Sequence, residues 1–195
     1  MNSKKCAACG KTVQPHDGVY VTRKEDLQYF CSNCYNDMIA QYLGVVFENP
    51  SFDPVTLKDT DDINHTFHFR TRLLGDQVIV DALELLDDGK QGYEFSILGD
   101  AEEDMFGLFK RLFERIKRSM NRKHIEPDDI TGYRITMQDT VRGYITSDID
   151  ADDFAIHPVL VIDGKEISWR QFGRMLSTFD GFNFKLEIFD KTEEK

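Results

Sequence analysis

The chain has 195 residues, 41% of them hydrophobic and 12% aromatic, which is enough for one small module and one domain with a sizeable core. The formal net charge is −11, and residues 50–195 carry the whole excess because residues 1–49 hold five basic and five acidic side chains. Neither part has the positive field that attracts a phosphate backbone, so the charge disfavours nucleic acid as a partner.

The N-terminal segment contains all four cysteines of the chain, Cys6, Cys9, Cys31 and Cys34. They form two C-x-x-C pairs separated by 21 residues, and two close pairs on one short segment can converge on a single tetrahedral centre. Zn²⁺ prefers four thiolate ligands in that geometry. The pattern therefore predicts one structural zinc ion per chain.

Three other uses of these cysteines fit the sequence less well. Two disulfides would need an oxidising compartment, and residues 1–5 carry no apolar signal segment. A thioredoxin-type redox pair needs one C-x-x-C in a βαβ setting, and a catalytic zinc keeps an open coordination position.

No stretch of the sequence reaches about 18 consecutive apolar residues. We therefore expect a cytoplasmic protein without a membrane span.

The sequence around the cysteines predicts a small finger. Gly10 follows the second cysteine, where the backbone must curl around a ligand. A hairpin is expected from Gly18–Thr22 to Leu27–Phe30, and the second cysteine pair then opens a helix that Gly44 ends. The apolar face predicted for this helix consists of Tyr35, Met38, Ile39, Tyr42 and Leu43.

With its four ligands, Gly10 and the helix after Cys34, the segment 1–47 resembles the treble-clef and LIM-like zinc knuckles. Such knuckles serve DNA binding, RNA binding and protein docking alike. The resemblance implies a metal and a shape, and it leaves the partner open.

Two prolines and a cluster of aspartates make residues 48–64 read as an exposed, extended linker. Residues 65–195 then form a second domain, for which the hydrophobic periodicity predicts eight strands and two helices. Asp100 is expected to cap a helix to about Met120, and the capping box Ser168-x-x-Gln171 to start a second helix. The predicted strands are Thr66–Leu74, Gln77–Leu85, Tyr93–Leu98, Tyr133–Met137, Gly143–Thr146, Val159–Ile162, Lys165–Ile167 and Phe182–Ile188.

Hairpin connections dominate this order of elements. The predicted fold class is therefore α+β, with a small treble-clef-like zinc finger followed by a mainly antiparallel sheet and two packed helices. Residues 158–190, which contain P-V-L-V-I-D-G-K-E-I-S-W and F-G-R-M-L, resemble a segment of uncharacterised bacterial proteins of unknown function. That resemblance implies a bacterial cytoplasmic setting and no particular activity.

An acidic loop is the second candidate site. Asp148, Asp150 and Asp152 alternate along the chain and could gather oxygen ligands for Ca²⁺ or Mg²⁺. The EF-hand pattern fails, because Asp153 stands where glycine is required and Val159 where the bidentate glutamate belongs. A solvated acidic turn is the preferred interpretation.

Two further groups of residues could form binding surfaces, and each also has a structural explanation. Trp169, the single tryptophan, lies near Arg170 and Arg174 and could anchor a partner, although packing at the start of a helix explains it as well. Basic residues crowd the end of the first long helix, where the helix dipole favours cations. They are Lys110, Arg111, Arg115, Lys117, Arg118, Arg122 and Lys123.

These observations favour a zinc-binding, non-enzymatic protein that acts in protein–protein interaction or as an adaptor. A nucleic-acid-associated regulator that uses the finger is the alternative. A further alternative is a divalent-cation-dependent enzyme built on the acidic domain. The identity of the partner and the oligomeric state do not follow from the sequence.

Overall fold

A computed structural model describes residues 4–23, 26–86, 91–136, 140–148 and 157–193. Within these ranges the fold is α+β with three α-helices, and every strand pair is antiparallel, which confirms the predicted class. The strands are β1 (Gly18–Arg23), β2 (Asp26–Cys31), β3 (Val55–Lys58), β4 (Asn64–Leu74), β5 (Gln77–Leu85), β6 (Gln91–Asp100), β7 (Ile125–Asp128), β8 (Gly132–Ile135), β9 (Tyr144–Asp148), β10 (His157–Ile162) and β11 (Lys165–Ser168). The helices are α1 (Ser32–Leu43), α2 (Met105–Met120) and α3 (Trp169–Leu176).

The N-terminal unit is the β1–β2 hairpin followed by α1, as predicted. Gly44 ends α1 in the left-handed conformation, with φ 69°, where a side chain would be strained. The predicted apolar face of α1 is buried only in part, since Tyr35 and Met38 pack against the core of the finger. The buried residues are Ser32, Asn36 and Ala40, whereas Tyr42 is 87% exposed. Helix α1 buries Ser32, Asn36 and Ala40, packs Tyr35 and Met38 against the core of the finger, and leaves Tyr42 at the surface.

The central sheet has the order β3–β4–β5–β6 and carries α2 on one face. Strand β3 lies inside the predicted linker 48–64 and pairs with β4, so this segment belongs to the sheet. Helix α2 is capped by Asp104, whose carboxylate accepts from the backbone N–H of Phe106 and Gly107. Asp100, the predicted cap, instead ends β6. The core between sheet and helix is formed by Phe67, Val78, Val80, Ala82, Ile97, Leu108, Leu112, Ile116 and Met120.

The C-terminal unit combines the β7–β8 hairpin, the sheet β11–β10–β9 and α3. Its core contains Ile125, Ile162, Ile167 and Met175, and the predicted capping box of Ser168 with Gln171 is present. The two-residue turn between β10 and β11 has positive φ at both positions, as a tight hairpin requires.

The strand predicted over Phe182–Ile188 is absent, and this is the largest correction to the sequence analysis. Residues 182–190 belong to no strand or helix. Phe182, Phe184, Leu186 and Ile188 are 70%, 90%, 70% and 71% exposed. The alternating pattern is real, but within the described part of the chain no neighbouring strand pairs with it.

The N-terminal unit docks on the open edge of β4 through one polar side chain. Strand β3 covers one edge of β4 only as far as Phe67, and beyond it no strand of the described residues pairs with that edge. The amide of Asn36, 1% exposed, donates to the Thr71 carbonyl at 2.9 Å and accepts from the Leu73 N–H at 2.8 Å. One side chain of α1 thus replaces a missing strand.

A buried charge network makes a second connection between the N-terminal unit and the sheet. Asp81 is fully buried and accepts from Arg70 at 2.9 Å, from Arg72 at 2.8 Å and from the Ser96 hydroxyl at 2.7 Å. Burial alone would raise the pKa of Asp81, but the two guanidinium groups outweigh it and lower that pKa. Arg70 also donates to the Gly18 carbonyl of β1 at 2.8 Å, which ties the network to the hairpin.

A histidine between two carboxylates lies at the other end of the sheet, beside a cavity of about 230 Å³. The Nδ1 of His65 is 2.6 Å from Glu84, and its Nε2 is 3.5 Å from Asp59. The hydrogen bond with Glu84 is the main cause that raises the pKa of His65. His68 lies on the opposite face of the sheet, where it stacks on His16, as strand alternation predicts.

Among the described residues, no helix combines the length and the apolar character needed to cross a membrane.

We predict that Asn36→Ala destabilises the protein by about 2 kcal/mol, because it leaves the buried N–H of Leu73 and carbonyl of Thr71 without partners. Urea unfolding measures the change. Asn33→Ala is the matched control, since Asn33 is exposed on the same helix and its loss should cost less than about 0.5 kcal/mol. Equal effects of the two substitutions would contradict the role of Asn36.

We predict that His65 stabilises the fold most at low pH. Its pKa in the folded protein is raised above the unfolded value, so its contribution is complete below about pH 6.5 and is lost as the pH rises through the folded pKa. The difference in unfolding free energy between wild type and His65→Gln should therefore shrink with rising pH. In a Glu84→Gln background this pH dependence should weaken, whereas a difference that grows with pH would refute the assignment.

Candidate metal centre

The first two cysteines lie on a tight turn. The N–H of Gly10 donates to the Cys6 carbonyl at 3.0 Å, and Gly10 has φ 70°, as the predicted knuckle requires. An isolated bridge between Lys5 and Thr12 closes the turn behind the cysteines. The backbone therefore directs Cys6 and Cys9 to the same side.

The second pair lies where β2 passes into α1. Cys31 ends β2 and occupies the N-cap position of α1, and Cys34 follows in the first helical turn. The N–H of Ala7 donates to the Tyr29 carbonyl at 2.7 Å, which joins the knuckle to β2. Asp17 accepts from the Ser32 N–H at 3.4 Å, and such a carboxylate at a helix N-terminus stabilises the start of α1.

These elements bring the four sulfur atoms within 4.8 Å of one another. Four sulfurs bound at about 2.3 Å to one tetrahedral ion lie roughly 3.8 Å apart, so the cluster fits a single ion with little rearrangement. None of the four cysteines forms a disulfide. The predicted ligand set is thus assembled in a geometry that could hold a metal ion.

The thiols differ in their tendency to ionise. Burial alone would raise the pKa of Cys6, but hydrogen bonds from the backbone N–H groups of Cys9, Cys31 and Ala8 outweigh it and lower the pKa to about 6. Burial raises the pKa of Cys31 and of Cys34. A cation at the centre of the cluster would supply the charge that the last thiolates need.

The apolar core around the cluster is small. Its buried members are Cys6, Val13 and Phe30, with partly buried side chains around them. A core of this size seldom stabilises a finger without a metal or a disulfide. The sulfur cluster is therefore the main candidate for what holds this unit together.

The acidic-loop prediction lies largely outside the described residues. Asp148 ends β9, and Asp150 and Asp152 fall in the segment 149–156, which the structure does not describe. The cation-binding interpretation of this loop stays a prediction.

The Trp169 surface is exposed. Trp169 opens α3, is 57% exposed and packs against Phe172 with ring centroids 6.0 Å apart. Arg170 and Arg174 are also exposed, one helical turn apart. The structure brings the three predicted residues together on one helix and adds no ligand-binding geometry to them.

Several basic side chains of α2 and of the residues just after it have partners within the chain. Arg111 pairs with Glu103 at 2.7 Å, and Arg115 donates to the Ser96 carbonyl at 2.8 Å. Lys117 lies over the Phe113 ring at 5.8 Å, and Lys123 pairs with Asp61. Some of the basic residues that the sequence places near the end of this helix therefore form contacts within the fold.

The sequence did not predict the hollow that lies between α1 and β1 on the finger. The exposed side of α1 and strand β1 border a hollow of about 390 Å³, lined by Val21, Arg23, Met38, Ile39, Gln41 and Tyr42. Val45 and Val46, just after α1, are 49% and 96% exposed. The apolar periodicity of α1 did identify this face, but periodicity alone cannot tell a face that packs on the chain from one that is left open.

Comparison with protein families divides the chain into three parts. Residues 5–46 match a domain of unknown function (DUF7685), residues 48–121 match a second (DUF7686), and residues 124–193 match a third (DUF7713). No curated protein and no solved structure matches the chain. The three matched segments coincide with the finger, with the central sheet and α2, and with the C-terminal unit.

Proposed function

We propose that the chain is a zinc-binding, non-enzymatic adaptor that uses its finger to dock another protein. The observation that carries the proposal is the partly apolar hollow on the finger, two of whose lining residues, Val21 and Met38, pack against the core that contains Cys6. Apolar patches of this kind on a polar surface mark protein interaction sites more often than chance.

The metal is zinc in this proposal because of the donor set. Four thiolates favour a soft or borderline ion in tetrahedral geometry, and four protein ligands leave no position open for a substrate. The metal then has a structural role, in a treble-clef-like finger of a cytoplasmic protein, where thiols stay reduced.

The docking surface faces away from the sheet because α1 buries its polar side instead. Asn36 binds β4, so Tyr42 on the other side of the helix remains free of the sheet, at 87% exposure. The hollow beside Tyr42 fits an apolar side chain of a partner, and the guanidinium of Arg23 at its rim favours a neighbouring carboxylate.

The nucleic-acid alternative is less well supported. The net charge is −11, and the basic residues on α2 and just after it include Arg111 and Lys123, which already pair with Glu103 and Asp61. Binding that weakens steeply with salt would nevertheless support this alternative.

We predict about one zinc ion per purified chain, because four thiolates saturate one tetrahedral ion. Cys31→Ser should lose the ion and unfold the finger, since its apolar core is too small to persist alone. Elemental analysis and circular dichroism measure the two effects. A protein that lacks bound metal and keeps a folded finger would contradict the structural role.

We predict that Tyr42→Ser abolishes capture of a specific protein partner without altering the fold or the metal content, because Tyr42 lines the hollow. Partners of wild type and variant can be compared by affinity capture and mass spectrometry, and the differing protein then tested in purified form by calorimetry. Ile130→Ser is the matched control, since Ile130 is 91% exposed on the turn between β7 and β8. A purified partner that binds wild type and Tyr42→Ser equally, or nucleic acid that binds tightly at physiological salt, would overturn the proposal.

A further inference from the structure

The segment 182–188 has the sequence of a strand, and no strand among the described residues pairs with it. Large apolar side chains occupy every second position from Phe182 to Ile188, with Asn183, Lys185 and Glu187 between them. Lys185 and Glu187 form an ion pair at 2.8 Å, so these two polar side chains lie on the same side of the chain. Strand-like alternation is therefore present before any pairing.

Both ends of this segment are attached to the folded body. At its start, the N–H of Phe182 donates to the Phe179 carbonyl at 3.0 Å, and the two rings meet edge to face. After its end, Lys191 pairs with Glu94 at 2.5 Å, and Arg115 donates to the Glu193 carbonyl at 3.1 Å. The segment is a strap with fixed ends and an uncovered middle.

Leaving the middle of the strap exposed to water is unfavourable in free energy. Phe184 is 90% exposed. The backbone of residues 183–188, unlike the ends of the strap, forms no hydrogen bond with the backbone of other described residues. A single exposed apolar side chain is ordinary, but an alternating row beside unpaired backbone groups is a template for strand addition.

We propose that the strap pairs with the strap of a second copy of this chain, as an antiparallel ribbon across a two-fold axis. The charges of the strap argue for a second copy. When Leu186 lies opposite its own symmetry mate, Lys185 falls opposite Glu187 of the other copy, and Glu187 opposite Lys185. Phe184 then falls opposite Ile188 on the apolar face. Such self-complementarity is what a two-fold interface requires.

A pairing of the two straps that is shifted by two residues is less favourable. With Lys185 on the axis, the two lysines would lie opposite each other, and like charges directly across a ladder are destabilising. A shift by one residue would place each apolar side chain opposite a polar one. The chain already contains the favoured arrangement in its own β7–β8 hairpin, where Glu126 lies opposite Arg134 and the two form an ion pair at 2.8 Å.

A ribbon of this length is a small interface, so the dimer should be weak, with a Kd in roughly the micromolar range. Sedimentation velocity of the zinc-loaded full chain, from about 1 µM to about 1 mM, should show a monomer–dimer equilibrium. A chain that stays monomeric over this range would overturn the proposal.

Charge reversal tests the register itself. With Lys185→Glu, the new glutamate at position 185 of each copy lies opposite Glu187 of the other copy. With Glu187→Lys, the new lysine at position 187 of each copy lies opposite Lys185 of the other copy. Each variant should weaken dimerisation by about tenfold or more. An equimolar mixture of the two variants should restore association close to that of wild type, because every cross-strand pair is then again of opposite charge.

Arg134→Glu is the matched control, because it reverses a charge in an exposed ladder pair away from the strap and should leave dimerisation unchanged. Tyr42→Ser should also leave it unchanged, which separates this proposal from the function of the finger. Dimerisation that survives Lys185→Glu, or two variants that fail to associate when mixed, would refute the proposed register.

Discussion

Helix α1 carries Cys31 and Cys34 of the sulfur cluster at its start, and one turn after its first residue the Asn36 amide binds the open edge of β4. The two contacts are linked by a few residues of rigid helix. A metal ion in the sulfur cluster would therefore do more than hold the finger together, since it would also set the position of the side chain that completes the sheet. The finger and the central sheet are thus connected through this helix by the hydrogen bonds of Asn36.

Several polar groups connect the finger to the sheet. Asn36 pairs with backbone atoms, Arg70 bridges Asp81 to the Gly18 carbonyl, and His16 stacks on His68. Such an interface contributes less hydrophobic free energy than an apolar one, but each buried group is costly to leave unpaired. The arrangement specifies one docking orientation and leaves Tyr42 of α1 at the surface.

Local signals in the sequence predict much of this fold. The cysteine spacing identifies four residues whose sulfur atoms the fold brings together, and Asp163-Gly164 marks a hairpin turn whose two residues both have positive φ. The capping box of Ser168 is found where it is predicted. These features depend on a few neighbouring residues, so a single sequence carries them.

Features that depend on distant contacts were missed or misplaced. The periodicity of α1 indicates an apolar face but not that Asn36 on the other face packs on a strand 35 residues away. Asp100 and Asp104 both precede α2, and only the path of β6 decides which one caps it. The alternation in Phe182–Ile188 predicts a strand correctly as a pattern, yet a strand also needs a partner, and the described part of the chain supplies none.

Hydrogen exchange on the full chain, with and without a chelator, tests most directly whether the metal-held finger supports the sheet. The account predicts that metal removal accelerates exchange in β1, β2 and α1 and also at the Leu73 amide, which donates to Asn36. Protection at Val80, in the core of the sheet under α2, should fall less. Rapid exchange confined to the finger, with Leu73 as protected as in the metal-bound protein, would contradict it.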